Sequence, residues 1–187
     1  MKTFKKVILL SLTCLLVIGL GACSKQPTKS VKDKTTSSAK SQSSKKRVPK
    51  TASLKGQTFQ TKQGTFVLTE NHVSASATKN KQVLILKYTF RNTGKTQLVP
   101  SDDWYRYIKA TQNINGRVKN LEQGSLPFST TTTPDDKLEN ASVSEVKPGH
   151  TIQVEASWQL AKNGSPVTLK FYDTHHQLVG TRHYATN

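Results

Sequence analysis

No apolar run in this sequence is long enough to cross a membrane comfortably. The longest extends from Val7 to Leu20 and is interrupted by Ser11 and Thr13. It offers about 14 residues, whereas a helix that spans the hydrocarbon core needs about 20. Lysines stand just before this run and small residues just after it, an order typical of an export signal. We therefore predict that residues 1–22 are a signal peptide and not a membrane-spanning anchor.

Cysteine is almost absent, with two residues in the whole chain. Cys14 lies inside the predicted signal and would be removed with it. The mature chain would then keep only Cys23, so neither an internal disulfide nor a metal site made of several cysteines is available. The fold must be stable through packing, and we predict neither a metal nor a cofactor.

The end of the apolar run, Leu20-Gly21-Ala22-Cys23, resembles the lipobox of bacterial lipoproteins. The resemblance implies a diacylglyceryl group on the Cys23 sulfur and cleavage just before that residue. Two acyl chains suffice for stable anchoring, whereas one gives only marginal membrane binding. We predict a protein held by lipid on the extracellular face of the cell membrane. The alternative is a secreted protein that is cleaved near Ala22 and keeps a free Cys23 thiol.

Acidic residues are scarce, at 11 against 28 basic residues, a formal net charge of +17. The excess is concentrated between Ser24 and Lys55, where ten basic residues face one aspartate. Lysine, serine and threonine dominate this stretch, which is too polar to bury enough surface to fold. We predict three parts: the signal peptide, a lipidated and disordered tether over 23–55, and a folded domain over 56–187.

The charge of the tether supports two interpretations. Its lysines would bind anionic lipid headgroups or anionic wall polymers, each contributing about 1 kcal/mol near a charged surface. Alternatively, the tether is a solvated spacer. The run Lys45-Lys46-Arg47 is typical of nucleic-acid contacts in a cytosolic protein. Export argues against that function, so we predict no nucleic-acid partner.

The domain has no convincing long helix, and its pattern is that of short strands between turns. The strongest strand is Gln82 to Arg91, whose apolar residues alternate, and Asn115-Gly116 favours a tight hairpin. Trp104 to Thr111 and Ala141 to Val146 also have a strand pattern. We predict an antiparallel, immunoglobulin-like β-sandwich, with an up-and-down barrel as the main alternative. The remaining assignments are a polar loop over Ser125 to Lys137, a core position for Trp158 and a closing strand over Leu178 to Tyr184.

Several short segments resemble a family of Gram-positive lipoproteins. They are Tyr88-Thr89-Phe90-Arg91-Asn92-Thr93, the turn Gln112 to Gly116, Val146-Lys147-Pro148-Gly149, Trp158-Gln159-Leu160 and Ser165-Pro166-Val167. That family, common in lactobacilli and their relatives, carries a C-terminal domain of unknown function. Its fold is similar to the immunoglobulin-like sandwich of secreted mycobacterial immunoprotective antigens. The resemblance implies this fold and a surface location, and it supplies no catalytic residues.

No catalytic motif is present, and the residues that could carry chemistry have ordinary explanations. Neighbouring residues on a strand point to opposite faces, so His175-His176 cannot readily bind one metal, even with Asp173 or His183 nearby. We interpret the pair as turn residues. Asp102-Asp103 and Asp135-Asp136 have the composition of acid–base carboxylates, but both pairs lie in turn-like sequence, where aspartate bonds to its own backbone.

Trp104, Tyr105 and Tyr107 are the candidate ligand contacts, because exposed aromatic rings can stack on sugars. The ordinary explanation is that they belong to the core. Two functions follow: a non-catalytic surface module that binds a wall polymer, a protein or a host component, or a cell-wall hydrolase or enzyme inhibitor. A solute-capturing transport lipoprotein is disfavoured, because closure around a solute needs two lobes and this chain has one domain.

Overall fold

The computed structural model describes residues 50–186, in which nine β-strands and two short helices follow one another. In chain order they are β1 (Ser53–Lys55), β2 (Thr58–Gln60), β3 (Gly64–Ala75), β4 (Gln82–Asn92), α1 (Pro100–Tyr107), β5 (Ile108–Ile114), β6 (Arg117–Asn120), α2 (Pro134–Ser142), β7 (Thr151–Gln159), β8 (Val167–Tyr172) and β9 (Leu178–Tyr184). Neither helix in this part of the chain is long and apolar enough to cross a membrane. The predicted signal peptide, Cys23 and most of the predicted tether lie outside the described residues.

The strands form two antiparallel sheets whose inner faces share one hydrophobic core. The five-stranded sheet has the order β1-β2-β3-β4-β7, and the four-stranded sheet has the order β6-β5-β8-β9. Buried side chains of both sheets belong to the same cluster, among them Leu86 of β4 and Leu169 of β8. The predicted antiparallel β-sandwich is confirmed. The up-and-down barrel is excluded, because it would need one sheet closed on itself.

Strand β4 lies inside the five-stranded sheet, between β3 and β7. Side chains alternate between the two faces of a strand, so every second residue of β4 points into the sandwich. These inner residues are at most 1 % exposed: Leu84, Leu86, Tyr88 and Phe90. Val83 points to the outer face and is also fully buried, since the backbone at Gly124 lies against its side chain. Both faces of β4 are therefore covered.

Aromatic rings fill much of the space between the sheets. Trp104 stacks on Tyr88, with ring centroids 4.1 Å apart and an interplanar angle of 17°. Phe59 of the five-stranded sheet lies 5.2 Å from Phe171 of the four-stranded sheet, again between centroids. Trp158 is 3 % exposed, which confirms its predicted place in the core. These contacts join the two sheets and α1. Burial of each large apolar side chain contributes roughly 1.5–3 kcal/mol to stability.

The hairpin predicted at Asn115-Gly116 is confirmed. Both residues have positive φ, 52° and 78°, as a tight two-residue turn requires. The turn joins β5 to β6 in the register that pairs Ile114 with Arg117. The closing strand over Leu178–Tyr184 is also found as predicted.

The predicted strand from Trp104 to Thr111 is wrong in its first half. Residues Pro100–Tyr107 form α1, and β5 begins only at Ile108. A proline in the first turn and acidic residues near the helix N-terminus favour a helix here. Trp104 and Tyr107 are three residues apart, so they share one face of the helix, and both are buried. The sequence alternates large and polar residues as a strand does, but burial of Trp104 and Tyr107 on one side requires the helix.

The segment assigned to a polar loop and a following strand contains α2 instead. Helix α2 covers Pro134–Ser142. It therefore includes the end of the loop predicted over Ser125 to Lys137 and the start of the strand predicted over Ala141 to Val146. The helix begins with a capping box, in which the Asp136 amide donates to the Thr133 hydroxyl and the Thr133 amide donates to the Asp136 carboxylate. This local pairing satisfies two backbone donors that a loop would leave to water.

The folded domain begins before Gly56, the predicted boundary. Strand β1 pairs with β2, so the last residues assigned to the tether belong to the sheet. The Thr51 amide also donates to the Asp173 carboxylate at 3.1 Å, and Lys50 donates to the backbone carbonyl of Leu178 at 2.7 Å. Composition alone did not reveal this, because the segment is polar while its backbone completes the sheet.

Replacing Thr133 by Ala should destabilise the domain, because it removes the side chain that caps α2. We expect the free energy of unfolding to fall by about 1 kcal/mol, the usual cost of losing a threonine cap. Thermal unfolding followed by circular dichroism measures the change. Thr132→Ala is the matched control, since Thr132 is exposed and outside the capping box. Equal melting temperatures for the two variants would contradict the assigned role of Thr133.

Candidate functional site

The three aromatic residues proposed as ligand contacts do not form an exposed platform. Trp104 is fully buried and Tyr107 is 5 % exposed. The Tyr105 hydroxyl donates to the backbone carbonyl of Ser157 at 3.1 Å and accepts from its amide at 3.2 Å. These contacts attach α1 to the core and to the edge of β7. The expectation that the rings stack on sugars from an exposed strand is therefore wrong, because they lie on a buried helix face.

His175 and His176 lie in a turn that the Asp173 carboxylate organises. Asp173 is 1 % exposed and accepts from the backbone amides of Thr51, His175 and Gln177. Burial alone would raise the pKa of the Asp173 carboxyl, but these backbone donors hold it below its ordinary value. His183 lies elsewhere, on β9. Within residues 50–186, no group of three or more histidine, cysteine or acidic residues could hold a metal ion.

The four aspartates considered for acid–base chemistry are divided between the two helices. Asp102 is exposed on α1, and Asp103 is buried there, 3.5 Å from the Arg106 guanidinium. Burial raises the pKa of the Asp103 carboxyl. On α2, Asp136 belongs to the capping box and Asp135 forms ion pairs with the five-stranded sheet. The structure brings neither pair together as two free carboxylates that face a common cleft.

Helix α2 is fixed to the outer face of the five-stranded sheet by a polar cluster. The Asp135 carboxylate lies 2.8 Å from the Lys87 ammonium and 3.0 Å from the His72 imidazole. Burial would raise the pKa of Asp135, but its hydrogen bonds to Lys87 and His72 lower it below the ordinary value. Asp135 therefore joins β3, β4 and α2, and the same sheet face is closed to a large ligand at this point.

Glu155 of β7 lies directly opposite Lys87 in the register and is 3 % exposed. Burial raises the pKa of its carboxyl to about 8, and the negative charge of Asp135 adds to the effect. One of its oxygens has no hydrogen-bond partner among residues 50–186. Near neutral pH, Glu155 is therefore largely a neutral acid under α2. Glu155 was not among the candidate residues, because it stands with Gln153 and Ser157 on the polar side of an alternating strand, and only α2 buries that side.

The four-stranded sheet has a different electrostatic character. Its four strands contain no aspartate and no glutamate. They contain five lysines and arginines: Lys109, Arg117, Lys119, Lys170 and Arg182. Of these five, Lys109 and Lys170 point to the outward side of the sheet, whereas Arg117, Lys119 and Arg182 stand opposite Ile114, Gln112 and Leu169 on its other side. Like charges on one side raise the local concentration of anions, so the lysine pair makes this sheet suited to an anionic ligand.

The outward side of this sheet, which we call the basic face, is open to solvent. Lys109 is directly opposite Lys170 in the register, and both alternate with buried residues such as Leu169. His183 extends the same face on β9, where its ring lies 3.1 Å from the Thr168 hydroxyl. Two lysines opposite each other repel, which costs stability unless an anion lies between them. The basic face can therefore bind phosphate or carboxylate groups by charge and hydrogen bonding, with no covalent step.

Helix α2 makes its main contacts with β7, and α1 contacts β5 only around their junction. Neither helix lies across the basic face, which explains why the exposed outward positions of β5 and β9 stay open. Anion binding was expected on the tether, and this surface was not among the candidates. Lys109 and Lys170 are far apart along the chain, and only the pairing of β5 with β8 brings them together.

Comparisons with known proteins agree with the fold. The model of a family described as "Domain of unknown function (DUF5067)" matches residues 37–173. A proposed lipoprotein from Staphylococcus aureus has a similar structure, with a TM-score of 0.63 and 16 % identity over 74 % of this chain and 94 % of that chain. A protein from Enterococcus faecalis, solved by NMR, has a TM-score of 0.59 and 18 % identity over 73 % of this chain and 94 % of that chain. None of the curated proteins gives a significant match.

At these identities the two structures bear on the fold alone. They agree with the expected likeness to Gram-positive proteins, and the family match agrees with the expected domain of unknown function. The likeness to proteins of lactobacilli and to mycobacterial antigens stays a prediction.

Replacing Glu155 by Gln should make the domain more stable at alkaline pH. The folded protein keeps the Glu155 proton up to about pH 8, whereas the unfolded chain releases it near the ordinary pKa of 4.5. Because the folded state binds more protons between these values, this group lowers stability as pH rises from about 4.5 to about 8. We expect the variant to gain on the order of 1–3 kcal/mol above pH 8 and little below pH 4.5.

Urea denaturation of both proteins over this pH range measures the difference in the free energy of unfolding. Glu122→Gln is the matched control, because Glu122 is exposed and loses the same charge. A stability difference for Glu155→Gln that does not change with pH would contradict the assigned protonation of Glu155.

Proposed function

This chain belongs to the family described as "Domain of unknown function (DUF5067)", and we propose that it is a lipid-anchored extracellular protein whose β-sandwich binds phosphate-bearing wall polymers without catalysis. The lipobox-like sequence ending at Cys23 supports the anchor. The similar fold of a proposed Staphylococcus aureus lipoprotein supports the same location. In this arrangement, lipid on Cys23 holds the chain at the membrane and the domain meets the wall outside it.

The basic face carries this proposal. The outward side of this sheet carries the lysine pair Lys109 and Lys170 and no carboxylate from its strands, which favours anionic ligands. The Cα atoms of directly opposite residues in an antiparallel pair are about 4.5–5.5 Å apart, so Lys109 and Lys170 can both contact one phosphate group. Arg117, Lys119 and Arg182 lie on the two edge strands, on the opposite side of the sheet from this lysine pair, so the basic face depends on Lys109 and Lys170.

The arrangement of carboxylates favours binding over hydrolysis. Hydrolysis of a glycosidic bond uses two carboxyl groups on either side of one cleft. In the described domain, Asp135 is held by Lys87 and His72, and Asp136 caps α2. A wall hydrolase that depends on these carboxylates would lose activity when they are replaced by asparagine. If the protein binds the wall without catalysis, it has no hydrolase activity for these replacements to remove.

The basic tether would add a second, less specific contact with the same polymer. It carries most of the excess positive charge of the mature chain, and such contacts weaken strongly with salt because the Debye length falls to about 3 Å at 1 M. Since β1 begins at Ser53, a deletion that tests the tether must stop at Pro49 to leave the sheet intact. The deletion to Lys55 suggested by composition would remove an edge strand.

Replacing Lys109 and Lys170 together by Gln should weaken binding to isolated cell walls. Each lysine near a highly charged surface contributes about 1 kcal/mol, so we expect the affinity to fall by roughly 30-fold at low salt. Sedimentation of the purified protein with cell walls, at low and high salt, measures the bound fraction. The matched control is Lys62→Gln with Lys95→Gln, which removes the same charge from exposed turns outside the four-stranded sheet.

The experiment includes the 24–49 deletion and phosphatidylglycerol vesicles in place of walls. Binding of the deleted protein that is lost with the lysine pair supports wall recognition by the basic face. Equal loss in both lysine variants would reduce the interaction to net charge and overturn the assignment of this face. Binding to vesicles but not to walls would identify lipid headgroups as the ligand and would also contradict the proposal.

A further inference from the structure

A second surface, remote from the basic face, lies between α2 and the segment that precedes it. The start of this segment is attached to the five-stranded sheet. The Gly124 amide donates to the Ser157 carbonyl at 3.1 Å, and the Ser157 hydroxyl donates to the Gly124 carbonyl at 3.0 Å. A Cβ atom on Gly124 would lie only 2.4 Å from a methyl carbon of Val83, so the backbone is in close contact with the sheet. The chain then leaves the sheet and runs alongside α2.

The part that leaves the sheet carries the most exposed large apolar side chain among residues 50–186. Phe128 is 94 % exposed. A single exposed apolar residue is unremarkable in itself. Here, however, Phe128 and Leu126 form one wall of a groove of about 460 Å³, and α2 forms the other. We call this the Phe128 groove.

The helix wall of the Phe128 groove is acidic. Asp136 and Glu139 line it, three residues apart on one side of α2. Within residues 50–186, neither carboxylate has a cationic side chain within 4 Å. Burial, and then the charge of Asp136, raises the pKa of the Glu139 carboxyl. Two neighbouring carboxylates that are partly removed from water favour a cation between them.

The charge of the groove is opposite to that of the domain around it. Residues 50–186 contain 17 lysines and arginines and 10 acidic residues. Five of those acidic residues are on the two short helices, whereas the four-stranded sheet has none. A local acidic groove in a basic domain selects a cationic partner, because an anionic one would meet repulsion at close range.

We propose that the Phe128 groove binds a basic polypeptide segment in which a lysine or arginine neighbours an apolar residue. The cation lies between Asp136 and Glu139, and the apolar side chain packs against Phe128. The ring of Phe128 can also contact the cationic group with its face, which is attractive at short range. This combination of an aromatic anchor and paired carboxylates excludes acidic peptides and neutral polar ones.

The proposal does not depend on polymer binding by the basic face. Helix α2 covers the outer side of the five-stranded sheet, and the basic face is the outer side of the other sheet. The two surfaces are on opposite sides of the sandwich, so both can be occupied at once. A protein with both would hold a basic partner protein close to an anionic polymer.

Titration of the full chain with a short synthetic peptide of alternating lysine and leucine tests the proposal, with backbone amide NMR shifts as the measurement. We expect saturable binding with shifts confined to residues 126–140. Phe128→Ala should weaken the affinity about tenfold and Glu139→Gln about threefold. Val118→Ala is the matched control for Phe128, because Val118 is an exposed apolar residue on the other sheet.

Peptides with glutamate in place of lysine, or serine in place of leucine, test the two halves of the recognition separately. Both should fail to saturate at the concentrations that saturate with the first peptide. Shifts spread over the whole surface, or an affinity that Phe128→Ala leaves unchanged, would overturn the proposal. Unchanged binding in the Lys109→Gln, Lys170→Gln double variant would support it independently of the outcome for wall polymers.

Discussion

The burial of β4 on both faces is the constraint on which the rest of the structure depends. Its inner face packs against the four-stranded sheet, with Tyr88 stacked on Trp104. Its outer face must also be covered, which the segment at Gly124 and helix α2 accomplish. Lys87 lies on that covered face and needs a counter-ion, which Asp135 supplies from α2. The helix therefore follows from the need to cover β4, and the opposite sheet is left with an open outer face.

Because one sheet is covered by α2 and the other has an open outer face, the charged residues are also separated. Carboxylates concentrate on the helices, where they cap α2 or pair with the sheet beneath it. The outer side of the other sheet carries Lys109 and Lys170, and its strands contain no carboxylate. Lys109 and Lys170 face each other without an acidic neighbour in their strands. The Lys109 ammonium donates to the Tyr105 carbonyl at the end of α1, and a bound anion would relieve the repulsion that remains between the two lysines. The same architecture leaves an acidic groove beside α2, whose carboxylates have too few cations nearby.

The strands were predictable because their evidence is local. Alternation in β4 and the Asn115-Gly116 pair determine faces and turns within a few residues. The helices were not found, because Trp104 and Tyr107 fit a strand pattern as well as a helix face, and packing decides between them. The capping signature at Thr133-Pro134-Asp135-Asp136 was readable from the sequence, but its polar composition resembled a loop. The candidate site was beyond local reasoning, since the register of β5 and β8 creates it.

The strength with which α2 is attached to the five-stranded sheet determines how independently the Phe128 groove and the basic face can bind their ligands. Ion pairs at partly exposed positions contribute little, and the pair of Asp135 with Lys87 is of this kind. Packing of α2 against β7, to which Ala141 contributes, is therefore a large part of what keeps α2 on the sheet, and the cap at Thr133 stabilises the helix itself. When Glu155 loses its proton, a second negative charge appears next to Asp135 under the helix. The same charge also repels the carboxylates of Asp136 and Glu139, so the protonation of Glu155 is coupled to the acidic wall of the Phe128 groove.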